Sequence, residues 1–228
     1  MKTATAIICA YNEDKTIEEV IKSTYYSTTF DEIIVINDGS TDGTEIIIKD
    51  LKKEIYFVDI HFKENKGKGY AMATGIEKAQ SDVVLFIDAD LSSIATNHLH
   101  QLLDPVVENE ADMVLGQPTE TLIHYSINPF KSFTGQRCLI KKDVLPIVSK
   151  MKDARFGVET LINLYYSSIG KRIKYVMLKD LIHPSKFDKT SSKNAVKEFA
   201  AAGKEIGLTA LKNYDLIIKS LQQVISKN

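Results

Sequence analysis

Two carboxylates stand one residue apart at the end of an apolar run, Val83-Val84-Leu85-Phe86-Ile87-Asp88-Ala89-Asp90. Such a pair resists desolvation and repels itself, so it calls for a cation or a set of donors. Hard oxygen ligands suit Mg²⁺ or Mn²⁺ rather than zinc. Strand alternation would turn Asp88 and Asp90 to one side and Ala89 to the other, placing both acids within reach of one ion or its water. Asp-x-Asp is also an ordinary Asx turn after a strand, and the pair alone does not separate the two readings.

The elements that must position this pair repeat along the first half. Thr5–Ala10 reads as a buried strand, followed by Tyr11-Asn12-Glu13-Asp14 and a helix carrying Ile17, Val20 and Ile21. Glu32–Ile36 is a second strand, ending in Asn37-Asp38-Gly39-Ser40-Thr41-Asp42-Gly43-Thr44 before a helix with Ile46, Ile47 and Leu51. A third strand, Ile55–Phe62, leads through Asn65-Lys66-Gly67-Lys68-Gly69 into a helix over Ala71, Met72, Ile76 and Ala79. The run from Asp82 is the fourth strand. Strands alternating with helices imply a mostly parallel sheet covered on both faces, in which ligands bind beyond the strands' carboxyl ends. Four polar loops therefore fall on one rim.

The second half is less regular. A helix over 97–108 and a strand over 111–116 precede a stretch, 117–133, with no clear period and the length of a lid or binding segment. Residues 134–140 return to strand character, Phe156–Ile162 opens an amphipathic helix, and 171–178 is a further strand. Residues 193–226 read as one long helix with an apolar stripe through Val196, Phe199, Ile206, Ala210, Tyr214, Ile217, Leu221 and Val224. This predicts a main domain over 1–192, divided at 116 into two halves, and a helical extension over 193–228.

A formal net charge of -1 lacks the basic excess of a protein built to grip nucleic acid. Cys9 and Cys138 are isolated from one another and read as inert core thiols. No apolar run is long enough to span a bilayer, so a cytoplasmic protein is expected, with peripheral membrane contact as the alternative.

Ile8-Cys9-Ala10-Tyr11-Asn12-Glu13, the Asn37–Thr44 loop, Asn65-Lys66-Gly67-Lys68-Gly69 and Asp88-Ala89-Asp90 occur in the order seen in family-two glycosyltransferases of the GT-A fold, which this chain resembles. Gly135-Gln136-Arg137, Gly157-Val158-Glu159 and His183-Pro184-Ser185-Lys186 are similar to a subgroup that includes glucosyl-3-phosphoglycerate synthases and their soluble relatives. The resemblance implies a UDP- or GDP-sugar donor contacted by Ala10, Tyr11, Glu13, Asp38, Lys68, Asp88, Ala89 and Asp90. It implies Mg²⁺ or Mn²⁺ on Asp90 and Asp88, with His183 as a third ligand. A divalent ion on the donor diphosphate neutralises the leaving group's charge. Glu159 matches the acid that deprotonates the acceptor hydroxyl, although a first-turn glutamate also stabilises a helix by itself. Gly135, Gln136 and Arg137 are expected on the acceptor, which is small or lipid-linked.

A polyprenyl-phosphate glycosyltransferase is the alternative, and a sugar nucleotidyltransferase a more distant one, because Ala10-Tyr11-Asn12-Glu13 is acidic where a triphosphate loop is basic. The last helix is expected to pack on its own domain or to pair two copies.

Overall fold

The computed structural model describes residues 2–118, 134–181 and 203–225. Among the described residues seven strands form one sheet: β1 Ala4–Ala10, β2 Glu32–Asn37, β3 Val58–His61, β4 Val83–Asp88, β5 Met113–Pro118, β6 Arg137–Ile140 and β7 Ile173–Leu178. Their order is β3-β2-β1-β4-β6-β5-β7. β1 pairs in parallel with β2 and β4, β2 with β3, and β5 with β7, whereas β6 runs antiparallel to both β4 and β5. The mostly parallel sheet is as expected. The antiparallel β6 is what carries residues 135–137 back to the carboxyl end of β4.

Nine helices accompany the sheet among the described residues. They are α1 Ile17–Tyr26, α2 Thr44–Leu51, α3 Lys68–Lys78, α4 Thr96–Val107, α5 Lys141–Val144, α6 Val148–Lys152, α7 Val158–Ser168, α8 over 203–212 and α9 Tyr214–Ile225. The strands are apolar on both faces because both are covered. Ile8, Val35, Leu85 and Ile87 face a core with Ile17, Val20, Ile21 and Leu99 of α1 and α4, while the intervening Ile7, Ile34, Val84 and Phe86 face Met72, Ile76, Leu161 and Tyr166 of α3 and α7. In α1, buried Ile17, Val20, Ile21 and Thr24 follow the spacing of one helical face.

Two expectations change. The third strand is shorter than 55–62, since Ile55 and Phe57 are buried as core groups ahead of the strand itself. The long C-terminal helix is broken within its described part at Asn213, whose side-chain amide and backbone N–H both donate to the Thr209 carbonyl. An asparagine bonding back to the preceding turn competes with helix propagation. The remainder of that expectation, 193–202, lies outside the described residues, as do 119–133 and His183.

Candidate active site

The rim begins as a set of loops that hold one another. Asn12 takes a left-handed backbone, φ 56°, at which its amide donates to Ser40 Oγ and its Oδ1 accepts from the Thr41 amide at 2.8 Å. The Glu13 amide donates to Thr44 Oγ1 at 2.9 Å. Thr16, which opens α1, donates its hydroxyl to the Ala89 carbonyl at 2.7 Å and so ties the first loop to the Asp-Ala-Asp segment. Tyr11 remains 45% exposed, whereas Ala10 and Ala89 are buried beneath the rim.

Asp38 organises the next pair of loops. Its carboxylate accepts the backbone amides of Lys66 and Gly67 at 2.8 and 2.9 Å and the Asn65 side-chain amide at 3.2 Å. Burial pushes the Asp38 carboxyl above its ordinary range, against the opposing pull of those two backbone bonds. Gly67 permits this geometry with φ 93°, and Gly39 with φ 69°, where a Cβ would collide with the Glu64 backbone.

At the centre, one ammonium joins the two halves of the molecule. Lys68 Nζ lies 2.8 Å from Asp88 Oδ1 and 2.7 Å from Glu159 Oε1. Burial opposes the lysine's charge, but Asp88 and Glu159 outweigh it and hold its pKa well above the usual lysine value. Glu159, 9% exposed, projects from the first turn of α7. Burial pushes the neighbouring Cys9 thiol up to about 12, consistent with an inert thiol.

Asp88 is also held from behind. Gln136 accepts the Asp88 amide on Oε1 and donates Nε2 to Asp88 Oδ2, both at 3.1 Å. Gly135 packs so tightly that a Cβ there would collide with the Asp88 carboxylate. Arg137 is 0% exposed; it donates to the Thr134 carbonyl at 2.6 Å, to Asn163 Oδ1 at 3.2 Å and to the Glu159 carbonyl at 3.4 Å. Burial lowers its pKa, opposed by the nearby acids. Residues 135–137, expected on the acceptor, thus also hold Asp88 and the start of α7 from within the protein.

A correction concerns the acids. β4 ends at Asp88, and Asp90 lies in the following turn, so strand alternation does not govern their relative orientation. Among the described residues no three His, Cys, Asp or Glu side chains gather as a metal cage. Two carboxylates at an open rim nevertheless fit Mg²⁺ or Mn²⁺, since such ions are held by one or two carboxylates together with substrate phosphates.

Sequence reasoning missed Arg155, whose aliphatic chain packs over Gly67. It also missed Asn163, one turn beyond Glu159, and Thr16. Thr16 had a signal as a hydroxyl immediately before a helix; Arg155 had none beyond its closeness to Gly157-Val158-Glu159.

This fold has counterparts in known proteins. Chains of glucosyl-3-phosphoglycerate synthase from Mycobacterium tuberculosis superpose with a TM-score of 0.73 at 21% identity, covering 92% of this chain and 79% of theirs, in a complex with Mn²⁺, UDP and glucosyl-3-phosphoglycerate. A complex of the same enzyme with Mg²⁺ and UDP gives 0.72. These likenesses identify the GT-A fold. In sequence, poly-beta-1,6-N-acetyl-D-glucosamine synthase of Staphylococcus aureus (strain COL) is 39% identical over 88 residues, 38% of this chain, and that of Staphylococcus epidermidis is 38% identical over 85 residues. The aligned segment spans only 21% of either relative. The family model for glycosyl transferase family 2 matches residues 5–176, which include every rim loop, both halves of the Lys68 bridge and the β6 support. On that match the chain belongs to glycosyl transferase family 2.

Proposed function

We propose that the chain transfers a sugar from a nucleoside-diphosphate donor to the hydroxyl of a small acceptor, with Mg²⁺ or Mn²⁺ bound by Asp90 and Asp88. The observation that carries this reading is the Lys68 ammonium within 2.8 Å of both Asp88 and Glu159, which brings the donor-side acid and the acceptor-side acid to one point. Solved neighbours that contain UDP favour a uridine donor over a guanosine one.

In this reading the loop 65–69, fixed by Asp38, places Lys68 beside the donor. A cation held by Asp90 and Asp88 would supply charge neutralisation for the departing diphosphate. Asp88 is kept in place by Gln136 and Gly135. Glu159 Oε1 accepts the proton of the attacking acceptor hydroxyl, and its carboxylate is oriented by Lys68 in front and by the Arg137-anchored first turn behind. His183, outside the described residues, is proposed as a third ligand.

A small acceptor is favoured by neighbours that hold phosphoglyceric acid and glycerol 3-phosphate. No helix among the described residues is long and apolar enough to cross a membrane. The exposed stripe Leu211, Tyr214, Ile218 and Leu221 supports pairing of two copies along α8 and α9.

The test is a panel of nucleotide sugars assayed by released nucleoside diphosphate, with and without Mg²⁺ or Mn²⁺. Turnover on a UDP-sugar that requires the metal and is lost in Asp90→Ala is expected; turnover of Asp90→Ala equal to wild type at saturating donor would remove the metal assignment.

A further inference from the structure

The helices beyond the family match, which ends at residue 176, reach back to the site. Glu205, on α8, accepts the Phe156 amide on Oε2 at 3.0 Å, and its Oε1 lies 3.4 Å from Arg155 Nε. Arg155 and Phe156 belong to the 3-10 turn Arg155–Gly157, which leads directly into α7, so Glu159 follows two residues later.

That turn is strained and tightly enclosed. Arg155 has φ 45°, a left-handed value that side-chain-bearing residues rarely adopt and that persists only where the surroundings enforce it. Gly157 faces α8 so closely that a Cβ would collide with Thr209 Oγ1, itself buried. On the other side, Cβ atoms at Gly67 and Gly69 would press on the Arg155 side chain and backbone. The turn is thus wedged between the donor loop and α8. Both Glu205 contacts are solvent-exposed; the ion pair with Arg155 is long and weak, whereas the amide bond is shorter, charge-assisted and made to backbone.

We propose that α8 is a working part of the active site, with Glu205 as a positioning residue. Its carboxylate holds the Phe156 N–H, sets the entry of α7, and so keeps Glu159 in register with Lys68. The proposal rests on the reading of Glu159 as the base.

The test uses the full chain with Glu205→Ala, Glu205→Gln and, as a control on the exposed side of α8, Lys212→Ala. Hydrogen exchange at the Phe156 amide is expected to accelerate about tenfold in Glu205→Ala and to stay near wild type in Glu205→Gln, whose amide oxygen accepts the same N–H. Transfer should follow the same pattern: kcat falls about tenfold in the Ala variant and is largely restored in the Gln variant, with donor Kd unchanged because Asp38 holds the donor loop independently. The control should match wild type in both readouts. Unchanged Phe156 exchange in Glu205→Ala overturns the proposal, and so does faster exchange with wild-type kcat. If the wild-type chain transfers nothing from any donor, the proposed function fails, and exchange alone decides whether Glu205 holds the turn.

Discussion

Up to Pro118 the rim is held by its own motifs, whereas past Thr134 the decisive groups lie behind it. In the first region each loop residue is fixed by a neighbouring loop: Asn12 by Ser40 and Thr41, Glu13 by Thr44, and Asp38 by Lys66 and Gly67. In the second, Gly135, Gln136, Arg137 and Glu205 touch the site only from beneath or beside it, through Asp88 or the first turn of α7. The difference teaches that the motif-dense half forms most of the rim, and the motif-poor half sets the position of two acids, Asp88 and Glu159. Lys68 is where the two meet.

The sharpest way to break that division is Gly135→Ala. The added methyl displaces the Asp88 carboxylate without touching the rim surface, and loss of metal-dependent UDP affinity by about a hundredfold is expected, as when a group supporting a metal ligand is removed. Calorimetric titration with Mn²⁺ and UDP measures it. Affinity equal to wild type in a folded variant would show that Gly135 does not support Asp88.

Next in size is Lys68→Met, which leaves Asp88 and Glu159 without their shared cation. The pairs are largely but not fully shielded from solvent, so a stability loss of roughly 2 kcal/mol is expected in denaturant titration. The sign with pH follows from the lysine's raised pKa. Its stabilisation is fully present below the unfolded lysine value of about 10.4 and is lost as the pH rises toward the higher folded value. The deficit of the variant should therefore be complete at pH 7 and shrink above about pH 10.5. A deficit that grows with alkalinity would contradict the bridge.

Arg137→Lys sharpens the assignment of the second half. A lysine keeps the charge but cannot serve Thr134 O, Asn163 Oδ1 and Glu159 O together, so stability should fall by about 1–2 kcal/mol. Acceptor KM should move no more than donor KM, read from steady-state rates. A selective rise in acceptor KM at unchanged stability would make Arg137 an acceptor ligand.

Legibility in the sequence follows the same division. The βα repeats were readable because each strand is apolar on both faces and each loop carries turn and cap residues, signals local to a few positions. Lys68 was marked by its glycine-flanked loop, but nothing local to it shows that it faces Glu159 across 91 residues of chain. The contacts of Gln136 with Asp88 are hidden in the sequence for a related reason. Only the antiparallel pairing of β6 with β4 brings it beside Asp88. The break at Asn213 could have been suspected from asparagine's poor helix propensity, yet a single such residue rarely outweighs a continuous apolar stripe.

The smallest effect is expected at Leu221, where the comparison can be tested on the outer face of the molecule. α9 buries Leu216 against the α7 side of the core and leaves Leu221 60% exposed, one turn from exposed Ile218 and Ile225. Leu216→Ala should cost about 2 kcal/mol or more as a core truncation, whereas Leu221→Lys should change protomer stability by no more than about 0.5 kcal/mol, because its side chain supports nothing beneath it. If two copies pair along this stripe, a lysine at its centre places an ammonium in a desolvated interface, and the pairing is lost while the fold is kept. Sedimentation velocity at micromolar concentration should then show a dimer for wild type and a monomer for Leu221→Lys, with equal thermal midpoints once concentration dependence is removed. A wild-type monomer would end the pairing proposal and leave α9 as cover for α7 alone. A dimer that survives Leu221→Lys would place the contact on another face.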